Sequence, residues 1–274
     1  MVRRKRSLLG VPFGLSLSKS SLHLRSDGKK KKGKASTRSA RTVLATLIAL
    51  LLPLPAFAQA IQCRIPDRIT LPDREDPPAG EIRNARATQH LLALSWSPQY
   101  CRTRGNDAQD SLQCGGEAGK FGFILHGLWP DVAGKSDPAW CAPAKPLSRA
   151  LIEKHFCMTP SPRLLNHEWA KHGTCASNDP DKYFKAASLL YAALKFPDMD
   201  SLSRRRITVA TLSAAFAGQN PGVRPNMVAV MTDKGGWLKE VRLCLDARMR
   251  PRVCAPEDRG TKPTRFLRIW RGRS

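Results

Sequence analysis

Four runs of apolar residues, each bounded by turn-forming residues, predict the strands of a sheet. Residues 89–96 and 121–128 are largely apolar and short, which is typical of buried strands. Residues 227–232 and 237–245 form a second pair of runs, and the Asp-Lys-Gly-Gly sequence between them is a hairpin signal. A hairpin joins neighbouring antiparallel strands, so these runs predict a largely antiparallel sheet.

Helical periodicity is interspersed with these strands. Four segments have apolar positions at helical spacing: residues 148–156, 162–172, 181–194 and 201–217. The second is expected to end at Gly173, a C-terminal helix signal. Residues 63–86 are rich in proline and charge, which predicts an irregular arm, and the polar residues 101–114 predict a loop. Without regular βαβ order, the pattern indicates an α+β fold with a largely antiparallel sheet and several packed helices.

An uncharged segment near the N-terminus predicts an export signal. Its apolar stretch, residues 43–54, follows basic residues and overlaps a Pro-Leu-Pro sequence at its end. The small residues of Ala56-Phe57-Ala58 then supply an A-x-A cleavage site. We expect cleavage after Ala58, with Ala60 as the second choice. An uncleaved anchor is the alternative, but the run is shorter than the about 20 apolar residues that a spanning helix needs.

The leader and the cysteines together predict the compartment and the domain organisation. Residues 1–41 are basic and lack periodicity, so we interpret them as a long leader or as untranslated sequence. All eight cysteines follow the leader, which favours disulfides in an oxidising space. We expect residues 1–58 to be removed and residues 59–274 to form a single domain in the periplasm or outside the cell.

The charge of the chain favours a polyanionic partner. The formal net charge is +24, and residues 1–60 contribute 13 basic residues and one acid. The remainder holds 33 basic and 21 acidic residues, so the expected mature domain is itself strongly basic. A positive surface attracts nucleic acid or an anionic membrane. A basic protein without such a partner is the alternative that charge alone leaves open.

The densest chemistry lies in residues 166–175, Asn-His-Glu-Trp-Ala-Lys-His-Gly-Thr-Cys. On an ideal α-helix His167 and Lys171 are four residues apart, as are Glu168 and His172, so these groups share one wedge of the helix. The two histidines are about 140° apart on such a helix. Two imidazoles, a carboxylate and an ammonium are therefore expected to converge on a small volume.

Three interpretations of this cluster compete. A solvated helix face with paired charges is the ordinary one, but four such groups within six positions make it less favourable. A zinc peptidase motif needs two histidines four apart, whereas His167 and His172 are five apart and Lys171 lies between them. Acid–base catalysis without a metal fits best, because imidazole exchanges protons near neutral pH. We therefore predict no metal site.

A further candidate is His126, at the end of the second apolar strand. Strand alternation puts Leu125 on the opposite face, so His126 can point into a cleft, although a lone histidine is more often a satisfied core residue. Trp129 has two equal interpretations, core packing or stacking on a base. His90 and His155 lie in apolar contexts and are expected to be structural.

Two segments of the chain resemble the ribonuclease T2 family. Residues 121–130, Phe-Gly-Phe-Ile-Leu-His-Gly-Leu-Trp-Pro, and residues 167–175, His-Glu-Trp-Ala-Lys-His-Gly-Thr-Cys, are similar to its two active-site segments. Weaker similarity extends to residues 92–101 and 240–254. Members of this family are secreted, base-nonspecific, transferase-type ribonucleases.

The resemblance implies a role for each residue by its position. His172 would take the proton of the ribose 2′-hydroxyl, and His126 would donate one to the leaving 5′-oxygen. His167 would contact the phosphate, while Glu168 and Lys171 would stabilise the five-coordinate phosphorus. The residue pattern alone does not tell which of the two histidines is the base.

The resemblance also implies a substrate and a product. The expected protein is a monomeric endoribonuclease that cleaves single-stranded RNA through a 2′,3′-cyclic phosphate to 3′-phosphate ends. Low base specificity, no cofactor and no stable membrane association after signal cleavage belong to the same expectation. The alternative is an exported nucleic-acid-binding protein without catalysis on the same fold. Candidates for RNA capture are the basic residues 204–206, Arg265, Arg268, Arg271 and Arg273, although a charge run is more often a solvated face.

Disulfide pairing is not determined by the residues alone, since eight cysteines allow 105 connectivities. The resemblance favours Cys141–Cys175. Cys101–Cys114 and Cys244–Cys254 are plausible short-range pairs, and Cys63–Cys157 is the remaining pair by elimination.

Overall fold

The computed structural model describes residues 63–105, 107–134 and 136–272. Its main element is a four-stranded antiparallel sheet with the strand order β2-β1-β5-β4. The short strands β3 and β6 pair separately. The strand bounds are β1 (Gln89–Trp96), β2 (Phe123–Asp131), β3 (Ile207–Thr208), β4 (Val228–Thr232), β5 (Leu238–Asp246) and β6 (Phe266–Leu267). The α+β class with a largely antiparallel sheet is confirmed.

Helices connect the strands, and α6 and α8 pack against the sheet. Their bounds are α1 (Ser97–Cys101), α2 (Ser111–Cys114), α3 (Arg149–His155), α4 (Pro162–Glu168), α5 (Thr174–Ala176), α6 (Pro180–Ala193), α7 (Met199–Ser203) and α8 (Val209–Gln219). A single π-helical turn, Trp169–Gly173, joins α4 to α5. Side chains cap the starts of several helices. Ser161 accepts from the Leu164 N–H at α4, and Asp179 accepts from the Asp181 N–H at α6, satisfying donors that the helix leaves unpaired.

The structure corrects three expectations about these elements. The helix does not end at Gly173 but continues through α5, because Gly173 has helical φ −62° and a Cβ there would collide with the Trp169 ring. The segment 201–217 is not one helix, because β3 separates α7 from α8. Thr208 pairs with Phe266 of β6, and its side chain caps the start of α8. The segment 101–114, expected to be a loop, contains α2 and a 3₁₀ turn.

The core lies between the sheet and the helices α6 and α8. Phe123 of β2 is fully buried and packs at 5.4 Å, centroid to centroid, against both Phe196 and Phe216. The Tyr191 hydroxyl of α6 donates to the Phe123 carbonyl at 2.8 Å. Burial of each such aromatic ring contributes about 1.5–3 kcal/mol. This packing holds β2, and with it the His126 segment, against the helices.

Four disulfides tie the periphery to this core. They join Cys63 to Cys157, Cys101 to Cys114, Cys141 to Cys175 and Cys244 to Cys254, the same pairs that the sequence analysis gave. Residues 63–86 form the expected irregular arm, which Cys63–Cys157 anchors. Among the described residues, no helix has both the length and the apolar composition that crossing a bilayer requires. The expected leader and its cleavage site lie outside the described residues.

Candidate active site

A β-bulge at His126 forms one side of the candidate site. Gly127 of β2 pairs with Ala93 of β1, and Leu125 pairs with Leu94, which leaves His126 as the extra residue. A bulge re-aims the side chain that it carries and is frequent beside active sites. Leu125 is buried in the core, whereas 30% of the His126 side chain is exposed. The histidine therefore points out of the sheet, as the strand pattern predicts.

The helix α4 and the π-turn that follows it form the opposite side. His167 and Glu168 end α4, and Lys171 and His172 lie in the π-turn. A π-turn closes its hydrogen bonds between residues five apart, one more than an α-helix, and such turns are frequent at functional sites. The separation of about 140° between His167 and His172, expected for an ideal helix, therefore does not apply.

Glu168 is the buried contact between these two sides. It is 2% exposed, and its carboxylate accepts from the Trp129 indole N–H at 2.7 Å. Its other oxygen lies 3.5 Å from Nε2 of His126. A Cβ on Gly127 would collide with this carboxylate and lie 2.6 Å from the Trp129 nitrogen. Glycine at position 127 thus permits the close approach of strand and helix.

Glu240 and Arg242 of β5 complete the surroundings of His126. The register aligns Ser95 with Glu240 across β1 and β5, so Glu240 reaches the bulge. The Nδ1–H of His126 donates to Glu240 at 2.6 Å, and Ser95 Oγ lies 3.2 Å from the same nitrogen. Arg242 donates to the second Glu240 oxygen at 2.7 Å. This carboxylate is absent from the sequence prediction, because β5 also carries Lys239, Arg242 and Asp246 and no pattern sets Glu240 apart.

The carboxylates favour the charged form of His126. Burial opposes that charge, but the hydrogen bond to Glu240 and the charges of Glu168 and Glu240 outweigh it and raise the pKa of His126. Burial also opposes the charge of Glu240, yet His126 and Arg242 hold the pKa of Glu240 down at about 2. The contact with Glu240 therefore stabilises the protonated form of His126.

The surroundings of His172 oppose its charged form, in contrast to those of His126. Burial and then the positive charge of Lys171 lower the pKa of His172 to about 2. The ring stacks on Trp129 at 5.3 Å and 27°. Its Nδ1 has no hydrogen-bond partner in the part of the chain that the structure describes. His172 is therefore a neutral imidazole.

Trp129 lies between the two histidines. Its ring meets His126 edge-on at 5.1 Å and stacks on His172 at 5.3 Å. The Arg242 guanidinium lies over the ring at 4.8 Å. These contacts favour the packing interpretation of Trp129 over base stacking.

The N-terminal arm supplies a partner for His167 that the sequence analysis also missed. The Nδ1–H of His167 donates to Glu75 at 2.6 Å, and the Trp140 ring meets the imidazole edge-on at 5.7 Å. The neighbouring Asn166 donates to the Asp73 carbonyl at 3.2 Å. No pattern in the proline-rich arm indicated that it reaches the site.

An open cleft of about 1540 Å³ gives access to these groups. Its wall includes His126, Trp129, His167, Glu240 and Arg242, together with residues of the arm. His172 does not line it but stacks on Trp129, which does.

His90 and His155 lie apart from the candidate site. His90 is buried in β1, and burial lowers its pKa. His155 is buried and stacks on Phe184 at 5.2 Å. Within residues 63–105, 107–134 and 136–272, no group of three or more His, Cys, Asp or Glu side chains is arranged to hold a metal ion.

A bulged strand and a π-turn bring two histidines with different electrostatic surroundings together around one tryptophan. A profile of the Ribonuclease T2 family matches residues 87–254, and the chain belongs to this family. The match spans the bulge, the π-turn and β5, so every side chain described above except Glu75 lies within it.

Individual relatives agree with this assignment. The chain is 35% identical over 136 residues to a probable ribonuclease of Haemophilus influenzae, covering 46% of this chain and about half (49%) of that protein. It is 31% identical over 163 residues to a ribonuclease of Aeromonas hydrophila, covering 57% of this chain and 71% of that one.

Solved structures show the same fold. The RNase-related protein of Calystegia sepium matches with a TM-score of 0.54 at 21% identity, covering 68% of this chain and 98% of that one. RNase NT in complex with 5′-AMP matches with a TM-score of 0.50 at 22% identity, with the same coverage of both chains.

Proposed function

We propose that the protein is an endoribonuclease that cleaves single-stranded RNA by attack of the ribose 2′-hydroxyl on the adjacent phosphorus. The observation behind this proposal is that two histidines around one tryptophan have pKa values shifted in opposite directions. His126 is paired with carboxylates, and His172 is neutral beside a cation. General acid–base catalysis needs one group of each kind in the same molecule.

His126 is the acid in this proposal. The Glu240 carboxylate binds its Nδ1–H, so the charged ring keeps a second proton on Nε2. That proton passes to the 5′-oxygen as the bond from phosphorus to this oxygen breaks. Glu240 is a positioning residue, since it acts through His126 and not on the substrate.

His172 is the base. A neutral imidazole has a free lone pair for the 2′-hydroxyl proton, and its low pKa means that it is unprotonated before the substrate arrives. The negative phosphate of bound RNA raises that pKa, which brings the base closer to its task. The electrostatics thus support the direction of proton transfer that the family resemblance implies.

The remaining groups act on the phosphate. The Lys171 ammonium offsets the negative charge that builds up on the five-coordinate phosphorus, and the His167 imidazole contacts the phosphate. Glu168 orients His126 and Trp129 through its two oxygens. We keep base stacking on Trp129 as a secondary prediction, because its ring already contacts His172 and Arg242.

The product follows from the nucleophile. Attack by the 2′-oxygen forms a 2′,3′-cyclic phosphate, which water then opens to a 3′-phosphate while the two histidines exchange roles. An internal nucleophile avoids the entropy of positioning a water, an advantage that can reach several kcal/mol. The proposed reaction needs no metal and has low base specificity. Nucleotide binding by a relative of the same fold, RNase NT with 5′-AMP, supports this substrate class.

We also propose the setting of the reaction. The four disulfides fit an oxidising compartment, and one relative is named an extracellular ribonuclease. The mature protein would then be a periplasmic or secreted monomer of residues 59–274, without stable membrane association.

The experiment compares His172→Ala with the parent on RNA and on a non-cleavable 2′-O-methyl RNA. Removing a catalytic proton acceptor costs about 10²–10⁴-fold in rate, while binding stays within a few-fold. An exported binding protein without catalysis is the second candidate, supported by the basic surface alone. It predicts equal binding by both proteins and no cleavage by either. Equal cleavage by variant and parent would remove His172 from the mechanism.

A further inference from the structure

Two arginines lie on two tryptophans at one end of the molecule, in a group that the proposed chemistry does not use. We call Arg102, Trp237, Arg268 and Trp270 the Arg–Trp cluster. The Arg102 guanidinium lies 4.5 Å from the centroid of the Trp237 ring and 4.8 Å from that of Trp270. Arg268 lies 5.6 Å from the Trp237 ring, and the two indoles meet edge-on at 6.1 Å. Both arginines are exposed, and both tryptophans are partly exposed.

The guanidinium groups of this cluster keep their hydrogen-bond donors. Across the described part of the chain, neither Arg102 nor Arg268 makes a side-chain hydrogen bond or an ion pair that meets the usual distance limits. Arg242 and Arg252, by contrast, pair with buried carboxylates. An arginine that is held on an aromatic face but unpaired presents several N–H groups in a fixed direction, which suits a phosphate.

The backbone around the cluster is firmly held. The Leu238 N–H donates to the Arg268 carbonyl at 2.8 Å, and the Arg268 N–H donates to the Gly236 carbonyl at 2.9 Å. The Trp96 indole donates to the Trp270 carbonyl at 2.6 Å. These bonds fix the C-terminal segment against the turn before β5. The two tryptophans and Arg268 are thus placed by ordered structure.

The cluster adjoins the active-site cleft, although its own four side chains do not line that cleft. The pairing of β4 with β5 skips Lys239, the extra residue of a second β-bulge. Leu238 is fully buried in the core, so alternation puts Trp237 on the opposite face of β5, the face that carries Glu240. Trp237 and Glu240 are three positions apart, which is roughly 10 Å along a strand.

The other side of the cleft reaches the cluster as well. Gln99 and Thr103, on either side of Arg102, line the cleft, as does Asp233. The Asp233 carboxylate already accepts from the Trp237 N–H at 2.9 Å and from the Gln99 amide at 3.3 Å. Its charge is therefore partly satisfied by groups other than the two cluster arginines.

We propose that the Arg–Trp cluster binds the RNA strand outside the scissile dinucleotide, with the arginines on phosphates and the exposed indole edges against bases. The inference rests on the proposed ribonuclease function and adds a remote subsite to it. Aromatic side chains and cation contacts to the backbone are sequence-tolerant means of holding single strands. At the stacked rise of about 3.4 Å per nucleotide, roughly 10 Å from Glu240 spans about three nucleotides, so long substrates reach the cluster and a dinucleotide does not.

The test compares substrates of two lengths. The double variant Arg102→Ala/Arg268→Ala is assayed on a 20-nucleotide RNA and on a dinucleoside phosphate. We expect kcat/KM to fall on the order of tenfold for the long RNA and to stay within twofold for the dinucleotide. Arg248→Ala is the matched control, since Arg248 is exposed in the turn at the other end of β5. Arg268→Ala alone covers the case in which the double variant fails to fold.

Binding gives a readout that does not depend on catalysis. For a 2′-O-methyl 20-mer, the slope of log Kd against log salt should become shallower by about 0.7 for each lost phosphate contact. An unchanged slope, or equal losses of kcat/KM on both substrates, would overturn the proposal. If the parent failed to cleave RNA at all, the proposed function would fall, while the salt slope would still decide the fate of the cluster.

Discussion

Replacing Glu240 by Gln tests whether the carboxylate on β5 sets the proton affinity of His126. Glutamine has nearly the same shape, and its one carbonyl oxygen can still accept from the His126 Nδ1–H, while its amide NH2 replaces the oxygen that accepts from Arg242. The change removes one negative charge at 2.6 Å from the imidazole. Any effect on the pH dependence then reports charge and not lost packing.

The direction follows from the sign of the shift. His126 must be protonated to act as the acid, and its raised pKa keeps it protonated to higher pH. Activity is present below that pKa and is lost as pH rises through it. An opposite charge within about 4–6 Å shifts a pKa by about 1–3 units. Glu240→Gln should therefore move the alkaline limb of the profile down by about 1–3 units.

The assay is kcat/KM of a dinucleoside phosphate across the pH range, so that the remote cluster plays no part. At a pH above both alkaline limbs, kcat/KM of the variant is lower than that of the parent by about tenfold for each pH unit between the parent's alkaline limb and the variant's. The acidic limb stays in place. Glu153→Gln is the control, because Glu153 pairs with Arg149 on α3 outside the cleft. An alkaline limb that stayed in place or moved to higher pH would refute the reasoning.

Three further changes probe the contacts around His126 and His167. Gly127→Ala should cost about 1–3 kcal/mol of unfolding free energy in urea titration, because its Cβ overlaps Glu168, and full stability would contradict this packing. Trp129→Phe should lower kcat in single-turnover assays by removing the donor to Glu168, while unchanged kcat would make that bond irrelevant. Glu75→Ala should raise KM for RNA several-fold with little change in kcat, since it orients His167; a change confined to kcat would argue against phosphate contact.

The residues of the two motifs could be predicted from the sequence because catalysis demands unusual residue types close together. His167, Glu168, Lys171 and His172 lie within six positions, so local spacing alone groups them. His126 could be joined to them only through the family resemblance, since no local pattern measures a distance between strand and helix.

Other parts of the site depend on register, which local pattern does not encode. Glu240 reaches His126 because β5 pairs with β1 so that Glu240 faces Ser95, and a slip by one residue would turn it away. Glu75 reaches His167 through an arm without regular structure. Gly173 was misread because a glycine needed for close packing against Trp169 has the same sequence signature as one that ends a helix.

The assignment of acid and base likewise required the structure. In the sequence both His126 and His172 stand beside charged or aromatic residues. Only the folded chain places His126 against Glu240 and buries His172 beside Lys171, which separates their proton affinities.

One measurement tests the proposed chemistry most directly. The substrate is a DNA oligonucleotide that contains a single ribonucleotide, incubated with the purified protein in EDTA. Attack by a 2′-hydroxyl predicts one cut, on the 3′ side of that ribose, with a 2′,3′-cyclic phosphate that ages to a 3′-phosphate. Cutting at deoxynucleotides, 5′-phosphate ends or loss of cleavage in EDTA would each contradict the account.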